Sequence, residues 1–422
     1  MCQKTAYRCI ENISNAARKS LTSDISRYPW FGSHDNVNLG FKVYEQRLSN
    51  HDHFDSGTAA TIFIIKDPAC KPPNPFNARE KFIQGSKNPI SRLDILDLDN
   101  AAHPRLTKHA IYQVLKVLTH ASTFDFDTYF YRDDPLFDRP ASNHQLPTGR
   151  QHATCQYMLD TVHIEEVSYE GNIKVIAEWL RQLHFNTADL KKRLALEQFV
   201  IWVGDQLTVS RIRGIKTFRN HELNSYDRMD FIKETFGWFH AQIAFEHSLH
   251  SQHYGTRAGC GLVHAFELLQ RKGLQTPSVQ GTFHHHMQEG LYHVAFARFR
   301  DLWCTVADTD SISLLHDLTP EDLLALATKI VMKYASSAGL MELEEKPNQE
   351  RDDVLTQAVI WNKDILDYLI LDDALKTGDI ACVKDLLPRI LFRFVGGRNS
   401  KYAIEILELL QGLNREWPDD VT

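Results

Sequence analysis

Residues 199–214, FVIWVGDQLTVSRIRG, narrow the choice of architecture more than any other stretch of this chain. Read with a period of two, Phe199, Ile201, Val203 and Asp205 share one strand face, while Val200 and Trp202 share the other. A strand that is apolar on both faces belongs in the middle of a sheet covered on both sides. The chain must therefore build layers of helix over a central sheet. Asp205 then stands at the carboxyl end of a core strand, where open α/β sheets hold their ligands. The same aspartate also suits a cap on the next turn, through the amides of Leu207 or Thr208.

Other segments supply neighbours for that strand. Residues 4–22 carry Tyr7, Ile10 and Ile13 at helical spacing, RYPWFGSHDNVNLGFKVY reads as extended, and TAATIFIIKDP reads as a strand closed by Pro68. Nine of the fifteen prolines fall between Pro68 and Pro147, which predicts an irregular segment there, although HAIYQVLKVLTHA inside it is helical in spacing. ATCQYMLDTVHIEE reads as a further strand, and GNIKVIAEWLRQLHF as the helix after it. From 226 to 375 the pattern is mainly helical. Met229, Ile232, Phe236, Phe239 and Ile243 step by three and four, as one helix would. MELEEKPNQERDD makes an exposed linker. Beyond it lie two helices broken at Gly396 and Gly397, the second capped by Asn399 or Ser400. Strand, strand, strand, helix, strand, helical mass and closing helix is the order of a ribonuclease H-like core with large insertions, and periodicity alone does not separate it from many other α/β folds.

Composition removes some functions. With 47 basic against 54 acidic residues and a formal charge of −7, wholesale attraction to nucleic acid or anionic membrane is not expected, so any such contact must be local. The seven cysteines are scattered, with no Cys-x-x-Cys pair, which fits reduced thiols inside a cell. No apolar run approaches the roughly 20 residues of a membrane span, and the start MCQKTAYRCIENIS lacks the apolar stretch of a signal peptide.

Two-metal phosphoryl transfer needs carboxylates from separate elements meeting at one point, since oxygen ligands hold Mg²⁺. Asp35 and Asp205 are the first two candidates, though they lie 170 positions apart. Local cations follow Asp205 at Arg211, Arg213, Lys216 and Arg219, and a second group, Arg389, Arg393, Arg398 and Lys401, surrounds the closing helices. Such clusters grip phosphate backbones, and equally they form ordinary solvated faces.

Four segments, GDQLTVSRIRG, FGWFHAQIAF, LLQRKG and LPRILFRFVGGRNSKYAIEILELLQGLNREWP, occur in that order and resemble the fungal domain-of-unknown-function family numbered 6589. HDNVNLGFKVYEQRLSNHDHFDSGTAATIFI resembles that family's upstream segment. The family's multicopy, transposon-like occurrence implies descent from a transposase, and hence a mixed-sheet α/β fold of ribonuclease H type. Its two acidic signatures fall on Asp35-Asn36 and Gly204-Asp205-Gln206. Glu405 lies in the late motif and would complete an Asp-Asp-Glu set, with Glu408 and Glu267 as substitutes. Yet the apolar stripe Ala403, Ile406, Leu407 and Leu410 leaves Glu405 nearly opposite, on a solvent face. Members often continue past REWP with further acids, so a truncated member is one reading of the end at Thr422.

The organisation expected is a helical arm (1–27), first core strands (28–70), a proline-rich insertion (71–150), the remaining core sheet (151–215), a helical insertion (216–380) and closing helices (381–422). The resemblance implies metal-dependent DNA cleavage or strand transfer. Asp35 and Asp205 would hold Mg²⁺, with Mn²⁺ as a substitute, and Arg211, Arg213, Lys216, Arg219, Arg393, Arg398 and Lys401 would hold DNA. The alternative is an inactive relic that serves as a binding or scaffold protein. An active transposase belongs in the nucleus, a relic in the cytoplasm. No membrane partner is expected, and nothing marks an oligomeric state.

Histidines invite a competing reading. His247, His250 and His253 are three apart and His284, His285 and His286 are consecutive, but no cysteine stands at ligand spacing and the first set extends an apolar stripe. They read as packed side chains, and no zinc site is assigned. Trp202 and Trp238 lie inside apolar runs and read as core rather than as platforms for bases. Neither a Gly-x-Ser-x-Gly elbow nor a phosphate-cradling loop occurs.

Overall fold

A computed structural model describes residues 3–42, 53–67, 70, 75–259, 261–275 and 284–418. It divides into two compact units, Met1–Ile90 with Thr148–His240 and Leu407–Thr422, and Ser91–Pro147 with Ala241–Ile406.

The first unit is a mixed α/β layer structure. Its strands are β1 (Trp30–Phe41), β2 (His53–Ile64), β3 (Cys155–Met158), β4 (Val200–Gly204) and β5 (Ile232–Phe236), ordered β3-β2-β1-β4-β5 across one sheet. β1 and β2 pair antiparallel from Trp30↔Ile64 onward, and β3 pairs antiparallel with β2. β4 runs parallel to both β1 and β5. As its two apolar faces require, β4 is interior. Val200 and Trp202 point into a core shared with Ile62, Val175, Trp179, Leu194 and Ile212. Gly32 pairs with Trp202, and a Cβ at residue 32 would come within 2.6 Å of the indole ring. The glycine in that strand, unfavourable by propensity, is what lets the indole lie across β1.

Two expectations change here. The residues 229–243 do not form one helix, because Ile232–Phe236 is β5 and the helix Trp238–Gln252 starts only after Gly237. Ile232 and Phe236 are four apart, a spacing that both periods satisfy, so it carries no preference. The left-handed backbone of Met229 (φ 58°) excludes a helix there. The helical insertion thus begins after β5, not at 216.

The proline-rich segment likewise holds a helix of 28 residues, Arg92–Thr119, with Pro104 inside it. A capping box of Ser91 and Asp94 starts that helix, and burial of Ile95, Ala102, Leu106, Val114 and Leu118 outweighs the roughly 3 kcal/mol cost of an internal proline. A second helix spans Pro75–Gly85, and short 3₁₀ turns lie at 126–128, 135–137 and 150–152.

The second unit is helical. Around the Arg92–Thr119 helix lie His284–Ala307, Pro320–Tyr334, Asp353–Thr377 and Ile380–Gly396, with the last ending at the expected glycine pair and Ser400–Gln411 beginning just after it. Among the described residues, no helix is long and apolar enough to cross a membrane.

Candidate functional site

The acids of the first unit gather where β4 ends, beside the middle of β1. Ser33 pairs with Val203 in the parallel register. Two residues further along each strand come Asp35 and Asp205, so both fall on the face that Val203 occupies. The opposite face of β1 carries His34, which is buried.

Asp205 leaves the sheet as a helix cap. Its Oδ1 accepts the amide of Thr208 at 2.7 Å and starts the helix Gln206–Phe218. A Cβ at Gly204 would stand 2.6 Å from Thr208 Cγ2, so the glycine before the aspartate admits the returning turn. Gly-Asp-Gln is in this sense a strand-to-helix corner, and the cap foreseen from sequence is present.

Asp35 remains open, its side chain 62% exposed. Oδ1 accepts the amide of Asn36 at 2.7 Å, and Oδ2 lies 3.7 Å from Nε2 of His240, in the first turn of the helix after β5. The contact with His240 holds the Asp35 carboxyl below its usual range. Reciprocally, His240 is raised above its ordinary value, chiefly by Asp35 and further by the charge of Asp205. Both acids therefore act on one imidazole. Among the described residues, however, Asp35, Asp205 and His240 do not bring three ligand atoms within 4.8 Å of one another.

Beneath this end of the sheet runs a buried polar chain. Trp202 donates its indole N–H to His34 Nδ1 at 2.8 Å, His34 Nε2 lies 2.7 Å from Glu166 Oε2, and Thr208 donates its hydroxyl to the same oxygen at 3.0 Å. Since Nδ1 of His34 accepts, its Nε2 carries the proton. The chain ties the residue before Asp35 to the turn that Asp205 caps.

The basic side chains after Asp205 are largely engaged within the unit. Arg211 donates to Val167 O at 2.9 Å and lies over the Tyr169 ring. Lys216 pairs with Glu234 at 3.0 Å, Arg213 reaches the same carboxylate at 4.0 Å, and Arg219 donates to Asp227 O at 3.4 Å. On the other sheet face, Lys233 sits in a cavity lined by Ile201, Val203, Thr235, Leu409 and Trp417, with its ammonium 5.5 Å from the Trp417 ring.

The remaining candidates, Glu408 apart, belong to the second unit. Glu405 is 2% exposed, which corrects its expected solvent-facing position: the helix Ser400–Gln411 buries Ala403, Glu405, Ile406 and Leu410 and leaves Leu407 of the expected stripe exposed. Arg393 is paired with Asp364, and Arg389 bridges Asp99 and Asp367, each at 3.0 Å. Arg398 and Lys401 are exposed. His250 donates its Nε2–H to Leu274 O at 2.9 Å and His253 contacts Asp364 at 2.9 Å, consistent with packed histidines.

His240, His34 and Glu166 were not singled out by sequence reasoning, and Thr208 only as a capping amide. His240 lies in the FGWFHAQIAF segment and His34 opens the HDNVNLG segment, whereas Glu166 lies in none of the segments that carry the resemblance. No curated protein and no solved structure matches the chain. A family match extends over residues 85–422, which includes Asp205 and His240 and leaves out Asp35. By that match, covering most of its length, the chain belongs to the family of unknown function DUF6589.

Proposed function

We propose that the first unit is a ribonuclease H-like core of transposon origin, which cleaves or transfers DNA phosphodiester strands with a divalent cation held by Asp35 and Asp205. The observation that carries this reading is the parallel register of β1 and β4, which brings Asp205, just past the end of β4, beside Asp35 in the middle of β1 on one face. The sheet order β3-β2-β1-β4-β5, with three antiparallel strands followed by two parallel to β1, is the order of ribonuclease H-like sheets and supports it by analogy of fold.

Carboxylate oxygens suit a hard ion. Mg²⁺ takes one or two of them and fills its remaining positions with water and phosphate oxygens, so two open acids fit without a third protein ligand. A bound cation would polarise the phosphodiester and activate water. The chain's own residues do the positioning: the Thr208 amide fixes one oxygen of Asp205 and so the direction of the other, while His240 keeps Asp35 ionised. Glu408, which belongs to the same unit and whose charge reaches Lys233, is the remaining acid to test.

A second reading is favoured by the engaged state of Arg211 and Lys216, which leaves little free charge beside Asp205 to grip DNA. It is an inactive transposase relic acting as a binding or scaffold protein.

Supercoiled plasmid incubated with the full chain and Mg²⁺ or Mn²⁺ separates the two, alongside calorimetric titration of Mn²⁺. The nuclease reading expects cation binding and nicking that both disappear in Asp205→Asn while circular dichroism is unchanged. Cation binding without nicking supports the relic. No cation binding by the wild-type chain, or binding untouched by Asp205→Asn, removes the metal-dependent reading.

A further inference from the structure

We propose that His109, Asp379 and Cys382 form a zinc site inside the second unit, with water as the fourth ligand. A ring nitrogen of His109, a carboxylate oxygen of Asp379 and the sulfur of Cys382 lie within 4.8 Å of one another. Ligand atoms on a tetrahedral zinc stand roughly 3.5 Å apart, so a contraction of about 1 Å closes the set. Rotamer adjustment supplies a shift of that size.

The independent observation is unmet hydrogen-bonding capacity in a dry place. His109, Asp379 and Cys382 are 6%, 1% and 2% exposed. Nevertheless His109 Nδ1 and Asp379 Oδ2 have no hydrogen-bond partner. A buried polar atom without a partner costs about 1–3 kcal/mol, and native proteins keep few of them unless an ion or water completes the site. The nearest competitor for Asp379 is Arg139, whose Nη2 is 3.9 Å from Oδ2, beyond hydrogen-bond reach, and only 2.9 Å from Asp373. Arg139 is the nearer partner of Asp373 and reaches Asp379 only as a long ion pair.

The surroundings also hold the ligands in place. Asp379 is the N-cap of the helix Ile380–Gly396, and its Oδ1 accepts the Cys382 amide at 3.0 Å and the Ser142 hydroxyl at 2.5 Å. Those bonds occupy one oxygen and leave Oδ2 for another partner, the ordering that partners around metal ligands usually provide. Cys382, three residues on, lies on the same side of the helix as its cap and within the first turn, where the dipole favours a thiolate.

On binding, the ion would replace the proton of the Cys382 thiol, and His109 would bind through its ring nitrogen. One imidazole, one thiolate and one carboxylate make a borderline-soft set that selects zinc over Mg²⁺ or Ca²⁺. Thiolate and carboxylate together balance the ion's charge. The site would clasp the Arg92–Thr119 helix to the corner at Gly378, where the chain turns through a left-handed φ of 74°.

This assignment does not depend on the nuclease reading. The full chain, expressed with zinc and dialysed against a mild chelator, is expected to retain one zinc per chain by plasma emission. Cys382→Ser, which keeps the side chain's size, should retain less than a tenth of that. After unfolding in chelator and refolding with Co²⁺, the wild-type chain should show a sulfur-to-cobalt charge-transfer band that Cys382→Ser lacks. If that variant fails to fold, the wild-type cobalt spectrum still decides. Folded wild-type chain that takes up neither metal, or metal content equal in wild type, Cys382→Ser and His109→Gln, overturns the proposal.

Discussion

Aspartates are handled in opposite ways at two places, one in each unit. In the first, Asp35 is mostly open to solvent in β1, just past its pairing with β4, and Asp205 uses one oxygen to cap a helix. In the second, the helix Asp353–Thr377 carries four buried aspartates, each with a cation or donor against it. Asp364 meets Arg393 and His253, Asp367 meets Arg389, Asp372 meets Tyr292 and Lys376, and Asp373 meets Lys116 and Arg139. Charge buried with its partner is part of the packing, whereas charge left open to solvent costs little to keep and stays available to a ligand. The largest predicted effect tests the buried side. Asp364→Asn leaves Arg393 uncompensated in a site where Asp364 is 2% exposed, and should lower unfolding stability by about 3–5 kcal/mol in urea denaturation. A loss below about 1 kcal/mol would erase the contrast.

His253 gives the buried side a pH signature. Burial, reinforced by Arg393 and Arg298, pushes it down to about 3 in the folded chain from an ordinary value of 6.5. It is therefore a neutral imidazole whose Nε2–H donates to Asp364. The unfolded chain takes up this proton near pH 6.5 and the folded chain does not, so stability is intact above that value and falls as pH drops from about 6.5 toward 3. The slope from this one group approaches about 1.4 kcal/mol per pH unit. His253→Gln keeps a donor for Asp364 and cannot titrate, so denaturation midpoints measured between pH 7 and 5 should flatten in the variant. An unchanged slope would show that His253 is charged in the fold.

Local pattern made much of the first unit legible, and long-range contact hid the rest. β4 is marked by apolar residues on both faces, and the Gly204-Asp205 corner by its residue types, because both depend on neighbours within a few positions. β5 was read as helix because Ile232 and Phe236 satisfy either period. Pro104 concealed the first half of the helix Arg92–Thr119, where tertiary burial overrides propensity, while the spacing of HAIYQVLKVLTHA marked its second half. A helical wheel places Glu405 opposite the apolar stripe, but it reports one face only, and burial there depends on what else packs on the helix. His240 meets Asp35 across more than 200 positions. His109 and Cys382 are further apart still, and a single cysteine without a paired neighbour carries no zinc spacing. The chemistry of both candidate sites is thus distributed over segments that only the fold brings together.

The smallest effect is the sharpest test of the open side. Asp205 is chemically the same residue as Asp364, so one substitution can be made in both places. Asparagine caps helices about as well as aspartate, and its side-chain oxygen can still accept the Thr208 amide. Asp205→Asn should therefore cost only a few tenths of a kcal/mol in urea denaturation, while Asp205→Ala, which deletes the acceptor, should cost about 1 kcal/mol. If Asp205→Asn instead cost as much as Asp364→Asn, the carboxylate charge would be holding the fold together. With the expected ranking, the cap needs only an oxygen, and the charge at residue 205 is left to act on His240 and on a ligand.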